Sequence, residues 1–221
     1  MPDFDPIVRL RRRNQRQKSD VAQKLIAMCL HEVSASLVRE RPYLRVETPD
    51  YEASVRRTFG TGCAFCSEPL ANDLHVEHLD AMNRVRAGLH IAGNVVLSCK
   101  RCNWAKRNDD QGRTALAGDD GWEHFLRHSG VECPAACTTC AYWAGRYAHP
   151  SERQAALAAR LGQVVAFRAQ YHLTSIRTAS LEMVKELERV YRHWQEEAEV
   201  STAAFSHSQL PRLLEIAPYS A

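Results

Sequence analysis

The sequence predicts a mainly helical α+β protein in which helices flank a small strand–strand–helix module clasped by zinc. Three observations predict it. Apolar residues recur at three- and four-residue spacing near the N-terminus and again beyond residue 150. After Gly60 the texture breaks into short pieces punctuated by Gly, Pro and Asn, and it becomes helical again near Gly121. That middle stretch carries two C-x2-C pairs. With 221 residues, 45% of them hydrophobic, the chain suits one compact domain or a core domain with helical extensions. The predicted divisions are a basic arm and helices over 1–58, the metal module over 59–110, and a helical region with further cysteines over 111–221.

Taken in order, Val21, Leu25, Met28, Cys29, Val33 and Leu37 form one apolar stripe, which predicts a helix from Ser19 or Asp20 that ends before Pro42. "RPYLRVETPD" reads as a loop of extended character, and a shorter helix follows Asp50. "LHVEHL" alternates Leu74, Val76 and Leu79 with polar residues, and "NVVLSC" is β-branched, so the two predict a hairpin. From near Cys102 through "NWAKRN" the chain reads as a helix. Later helices are expected at "GWEHFLRHS", after Pro150, through "SLEMVKELERVYRHWQEEAEV", and briefly near Pro211. Leu157, Leu161, Val164 and Phe167 are expected to pack on the long helix through Leu181, Val184, Leu187 and Tyr191.

The formal net charge is only +3, so composition alone identifies no nucleic-acid binder. Its distribution says more: Arg9, Arg11, Arg12, Arg13, Arg16 and Lys18 crowd one short stretch with no acid among them. Such a stretch suits phosphate contacts, the alternative being a solvated terminus. No unbroken run of about 18 apolar residues occurs and the first residues turn basic at once, so a cytoplasmic protein with no membrane partner is the expectation. Seven of the eight cysteines fall in short-spaced groups, which points to metal rather than to disulfides. The exception, Cys29, is expected to be a plain buried thiol.

Cys63-x2-Cys66 and Cys99-x2-Cys102 supply the four thiolates that a closed tetrahedral Zn2+ site takes. Residues 67 to 98 separate the pairs, longer than in an ordinary zinc ribbon, so a folded piece must sit between the clasps. It contains Glu77 beside His78. Neutral imidazole has an unperturbed pKa near working pH, and a carboxylate is a hard ligand for a divalent cation, so together they suit hydrolysis of a phosphodiester.

The order C-x2-C, acid-His at a strand end, Asn, apolar strand, then C-x2-C-N-x2-K over about Gly62 to Asn108 resembles the HNH endonuclease family in its zinc-clasped, McrA-like branch. The resemblance implies a ββα-metal finger and cleavage of DNA, with RNA as an alternative substrate, and suggests bacterial defence or a mobile element. By the same resemblance Glu77 and Asn103 hold a catalytic Mg2+ or Mn2+, His78 is the general base, and Asn94 fixes the loop that bears the base. Lys106 matches the lysine after the second clasp, and Arg84, Arg86, Arg101 and Lys106 are expected at phosphates. The loop departs from the family pattern: no proline follows the base, and Gly88 and Gly93 stand apart. His75 is expected to face outward and His90 to be a surface loop residue. The competing reading is a non-catalytic zinc module that binds nucleic acid. Protein partners are left open.

A second cluster, Cys133-x3-Cys137-x2-Cys140, lacks a fourth partner for a second zinc; His128 is favoured over His124 and His149. An iron–sulfur cluster and simple packing are the alternatives there.

Overall fold

The computed structural model describes residues 6–70, 74–110, 121–128 and 137–216; within it the side chains of 6–20, 107–110, 210 and 213–216 are left undescribed. Among the described residues the chain is mainly helical with one small sheet. Its elements are α1 (Pro6–Glu40), a 3-10 turn (Pro42–Leu44), α2 (Pro49–Phe59), β1 (Leu74–His78), β2 (Val95–Cys99), α3 (Lys100–Asp110), α4 (Gly121–Arg127), α5 (Thr138–Ala144), α6 (Pro150–Ala169), α7 (Thr174–Glu182) and α8 (Val184–Ile216).

Helix α1 starts earlier than its apolar stripe predicts and takes the basic stretch into its first turns. Its buried residues are Ala22, Ile26, Leu30 and Ser34, while Val21 and Met28 are exposed and Cys29 is an exposed thiol, not a buried one. Two apolar stripes lie side by side on this helix, and packing against α8 selects the one spaced by four residues. The segment Val21–Glu40 is long and apolar enough to cross a membrane by length and composition alone, with a mean hydropathy of 1.3. Here its buried face belongs to a core with Leu44, Leu89, Ile91, Leu173 and Leu187.

Helix α2 is closed at both ends by local chemistry. The Thr48 side chain accepts from the Tyr51 amide, Pro49 presets the first turn, and Gly60 ends the helix at a φ of 67°. Strands β1 and β2 pair antiparallel, with Glu77 opposite Val96 and His78 opposite Val95. Only one strand is buried: β2 lies in the core, whereas Leu74 and Val76 are exposed, so the alternation in "LHVEHL" does not mark an inward face.

A larger core gathers α2, the first cysteine pair, β2, α4, α5 and α6 around Phe65, Trp122, Phe125, Trp143 and Phe167. Helix α5 lies in the second cysteine cluster, where cysteine spacing masked its helical character. Three expectations for the C-terminal half are corrected. Leu157, Val164 and Phe167 of α6 pack into the hairpin core instead of onto α8. The long helix is broken at Met183 into α7 and α8. Pro211 lies inside α8, not at the head of a separate short helix.

Tyr51 links α2 to the hairpin: its hydroxyl donates to the Val95 carbonyl at 2.5 Å and accepts from the Gly93 amide at 3.1 Å. Tyr51→Phe leaves both buried backbone groups without that partner, and we expect a loss of about 1–3 kcal/mol in denaturant unfolding.

Candidate functional site

The four sulfurs of Cys63, Cys66, Cys99 and Cys102 are buried and lie within 4.8 Å of one another. They come from the turn after α2, the last residue of β2 and the first turn of α3. Cys66 Sγ and Cys99 Sγ are 3.8 Å apart, matching the edge of about 3.8 Å for a tetrahedron with Zn–S bonds near 2.3 Å. Backbone amides point at the sulfurs, Phe65 N at Cys63 and Cys102 N at Cys99, as expected where thiolates are to be held. Without a cation the thiols cannot all ionise together. Hydrogen bonds from Cys102 and Cys63 pull the Cys66 thiol down to about 4, while bonds to the other three sulfurs push Cys102 up. This geometry is compatible with a structural zinc site.

At the end of β1 the two adjacent residues turn to different neighbours. Glu77 faces α3: Lys106 Nζ donates to its Oε1 at 2.8 Å and Asn103 Nδ2 to its Oε2 at 2.5 Å. Lys106 is completely buried and also donates to the His78 carbonyl at 3.0 Å. His78 faces the loop between the strands, where its Nε2 is 2.9 Å from His90 Nδ1. His90 Nε2 is in turn 3.1 Å from Glu47 Oε1, its amide donates to Ser34 Oγ of α1 at 2.9 Å, and the His31 ring lies 5.6 Å from its own. Burial, followed by the nearby His90, Lys106 and His31, pushes His78 down to about 3. The imidazole is therefore neutral at ordinary pH.

Asn94 closes the loop. Its Oδ1 accepts from the Asp80 amide at 2.8 Å, and its Nδ2 donates to the Asp80 and Leu89 carbonyls at 3.1 and 2.8 Å. Asp80 is buried and paired with Arg168 of α6 and Arg177 of α7 at 2.8 and 3.3 Å. Gly88 is required where it is: a Cβ there would fall 1.8 Å from the Asp80 carbonyl oxygen.

Of the four cations expected at phosphates, Arg101 is exposed on α3. The other three are placed differently. Lys106 is buried under Glu77 because a desolvated ammonium needs a carboxylate. Arg86 is buried. Arg84 pairs with Glu188 and lies over the Tyr191 ring at 4.2 Å, joining the loop to α8. His75 is exposed, as expected, whereas His90 belongs to the site instead of the open surface.

Sequence reasoning did not find Glu47 or His31, which approach from the segment before α2 and from α1 and carry no local motif. It also missed Trp104, 63% exposed one residue beyond Asn103. In the second cluster, His128, Cys137 and Cys140 come together, and Cys133 lies outside the described residues.

The tetrad sits in the core, so a zinc ion held there would be lost with any one ligand, leaving the remaining buried sulfurs uncompensated. We expect Cys99→Ser to release the zinc of this cluster and abolish cooperative melting of the hairpin core, read by elemental analysis together with circular dichroism. A variant that retains its zinc and its transition temperature would exclude the assignment. No protein-family model, no curated protein and no solved structure matches this chain.

Proposed function

We propose that this chain is a metal-dependent endonuclease of the HNH type that hydrolyses DNA phosphodiester bonds. The observation that carries the reading is the meeting of a hairpin and a helix around one acid. Glu77 and His78 are the last two residues of β1, Asn103 reaches Glu77 from α3, and Asn94 ties down the loop that follows His78.

With both rings neutral, the hydrogen bonds favour one nitrogen of His78 as the basic atom. A carboxylate accepts, so Glu47 takes the hydrogen of His90 Nε2, and a neutral His90 then offers a lone pair at Nδ1. His78 Nε2 must carry the hydrogen that fills the 2.9 Å contact, which puts the His78 lone pair on Nδ1. In the proposed reaction, water loses a proton to that Nδ1 as its oxygen attacks phosphorus, and the bond to the 3′ oxygen breaks. Held by Glu77 and the amide oxygen of Asn103, a divalent cation would supply Lewis-acid stabilisation of charge on the phosphate and the leaving oxygen. Glu77 and Asn103 carry oxygen donors of the kind such an ion takes, which would replace the hydrogen bond between them, while Lys106 balances the charge on Glu77. Exposed Lys100, Arg101 and Trp104, at three- and four-residue spacing on α3, suit a phosphate backbone and a base face.

The competing reading, a non-catalytic zinc module for nucleic acid, is favoured by the same Lys106–Glu77 pair, which could be purely structural. Nicking of supercoiled plasmid separates the two. Cleavage with Mg2+ or Mn2+, its loss with EDTA, and a decrease of about 10²–10⁴-fold in His78→Ala are expected. DNA binding without nicking under any divalent cation would leave the module a binder, and cleavage confined to an RNA duplex or strand would change the substrate.

The basic turns of α1 should contribute affinity without sequence choice. Each phosphate neutralised by a lysine or arginine releases counterions, so deleting residues 1–18 should weaken binding to all duplexes alike. It should also flatten the dependence of log K on log salt by about one unit per lost contact. An unchanged slope would assign phosphate contact to α3 alone.

A further inference from the structure

The ligand atoms of His128, Cys137 and Cys140 lie within 4.8 Å of one another, in a part of the molecule that the proposed nuclease site does not use. We propose that these three residues hold a second zinc ion, and that this ion fixes α5 so that its end supports the first cysteine cluster.

The local geometry repeats that of the first cluster. Cys137 caps α5, its sulfur accepting from the Cys140 amide at 3.4 Å, just as Cys99 accepts from the Cys102 amide at 3.5 Å where α3 begins. Both C-x2-C pairs thus aim two sulfurs at one point from the first turn of a helix. The third donor stands just past the end of α4. His128 is 3% exposed, and its Nδ1 is 2.7 Å from the His124 carbonyl. A carbonyl can only accept, so Nδ1 carries the hydrogen and the lone pair of the neutral ring is on Nε2. A backbone carbonyl on the other nitrogen is the outer partner that metal-bound histidines commonly have. Two sulfurs and an imidazole select zinc over hard cations.

The ion has structural work to do at this position. Helices α4 and α5 have seven residues each, too short to persist without tertiary support, and the site joins the end of one to the start of the other. From α5, the Tyr142 hydroxyl lies 3.0 Å from Cys102 Sγ, and two residues beyond its end Arg146 Nη2 lies 3.1 Å from Cys66 Sγ. Four thiolates around Zn2+ carry a net charge of −2, and a phenol and a guanidinium directed at two of them offset it. Fixing α5 therefore stabilises the first site from outside its coordination sphere.

The test uses the full chain and needs no nuclease activity, so it stands apart from the proposed function. Elemental analysis should find two zinc ions per chain in the native protein and one in Cys140→Ser. The remaining ion should be held about 10–100-fold more weakly against a chromophoric chelator, the usual scale for losing outer-shell support. One zinc per chain in the native protein, or two retained by Cys140→Ser, overturns the second site. Retention of the remaining ion at native strength overturns the link between the sites. His128→Cys guards against a misfolded serine variant. Loaded with Co2+, it should hold two ions and show stronger thiolate-to-cobalt absorption than the native protein. An unchanged spectrum removes His128 from the site and overturns the assignment.

Discussion

The four-sulfur cluster is the constraint on which the rest of the structure depends. It ties the turn after α2 to the junction of β2 and α3, closing the chain from Cys66 to Cys99 into one loop that contains β1 with Glu77 and His78, and it sets α3 with Asn103 and Lys106 against that loop. Zinc binding to such a site contributes about 10–16 kcal/mol, as much as the entire stability of a typical domain, about 5–15 kcal/mol. A two-stranded sheet with one exposed strand cannot stand on its own burial. The aromatic core is assembled against this clasp: Phe65, between the first two cysteines, meets Phe125 of α4 edge-on at 5.5 Å, and the Trp143 indole donates to the Phe125 carbonyl.

The buried Lys106 sets a second constraint. An ammonium removed from water costs several kcal/mol unless it is paired, and truncating one partner of a buried pair costs about 3–5 kcal/mol. Glu77 and the His78 carbonyl are its partners, so the acid that the proposed chemistry needs also holds α3 against β1. Substituting Glu77 would therefore mix a stability loss with any loss of activity. His78 has no such double duty, and its loss reads more cleanly on the proposed function.

Much of this was legible in the sequence because the signals were local. Cysteine spacing located the clasp, and β-branched residues located β2. What failed was decided at a distance. Two equivalent stripes on α1 could be ranked only by the helix packed against them, which buries Ile26 and Leu30 and leaves Met28 out. Lys106 and Arg84 were expected at phosphates and instead meet Glu77 and Glu188, because a charge pattern cannot say whether a cation meets solvent, phosphate or an acid of the fold. Glu47 and Ser34 reach His90 from segments 43 and 56 residues away in the chain, a separation at which no motif operates.

The loop between the strands shows how such distant contacts substitute for local rules. No proline follows His78, and Gly88 and Gly93 stand apart, so no local device fixes the backbone of this loop. Helices constrain it instead: α1 through Ser34 to the His90 amide, α2 through Tyr51 to Gly93 and Val95, α6 through Arg168 to Asp80 and Asn94, α7 through Arg177 to Asp80, and α8 through Glu188 to Arg84. Backbone freedom that a proline would remove in the unfolded chain is removed here only on folding, by hydrogen bonds to side chains that are themselves packed. The geometry around His78 and His90 is therefore a property of the assembled helices, and the helical extensions around the hairpin act as its scaffold.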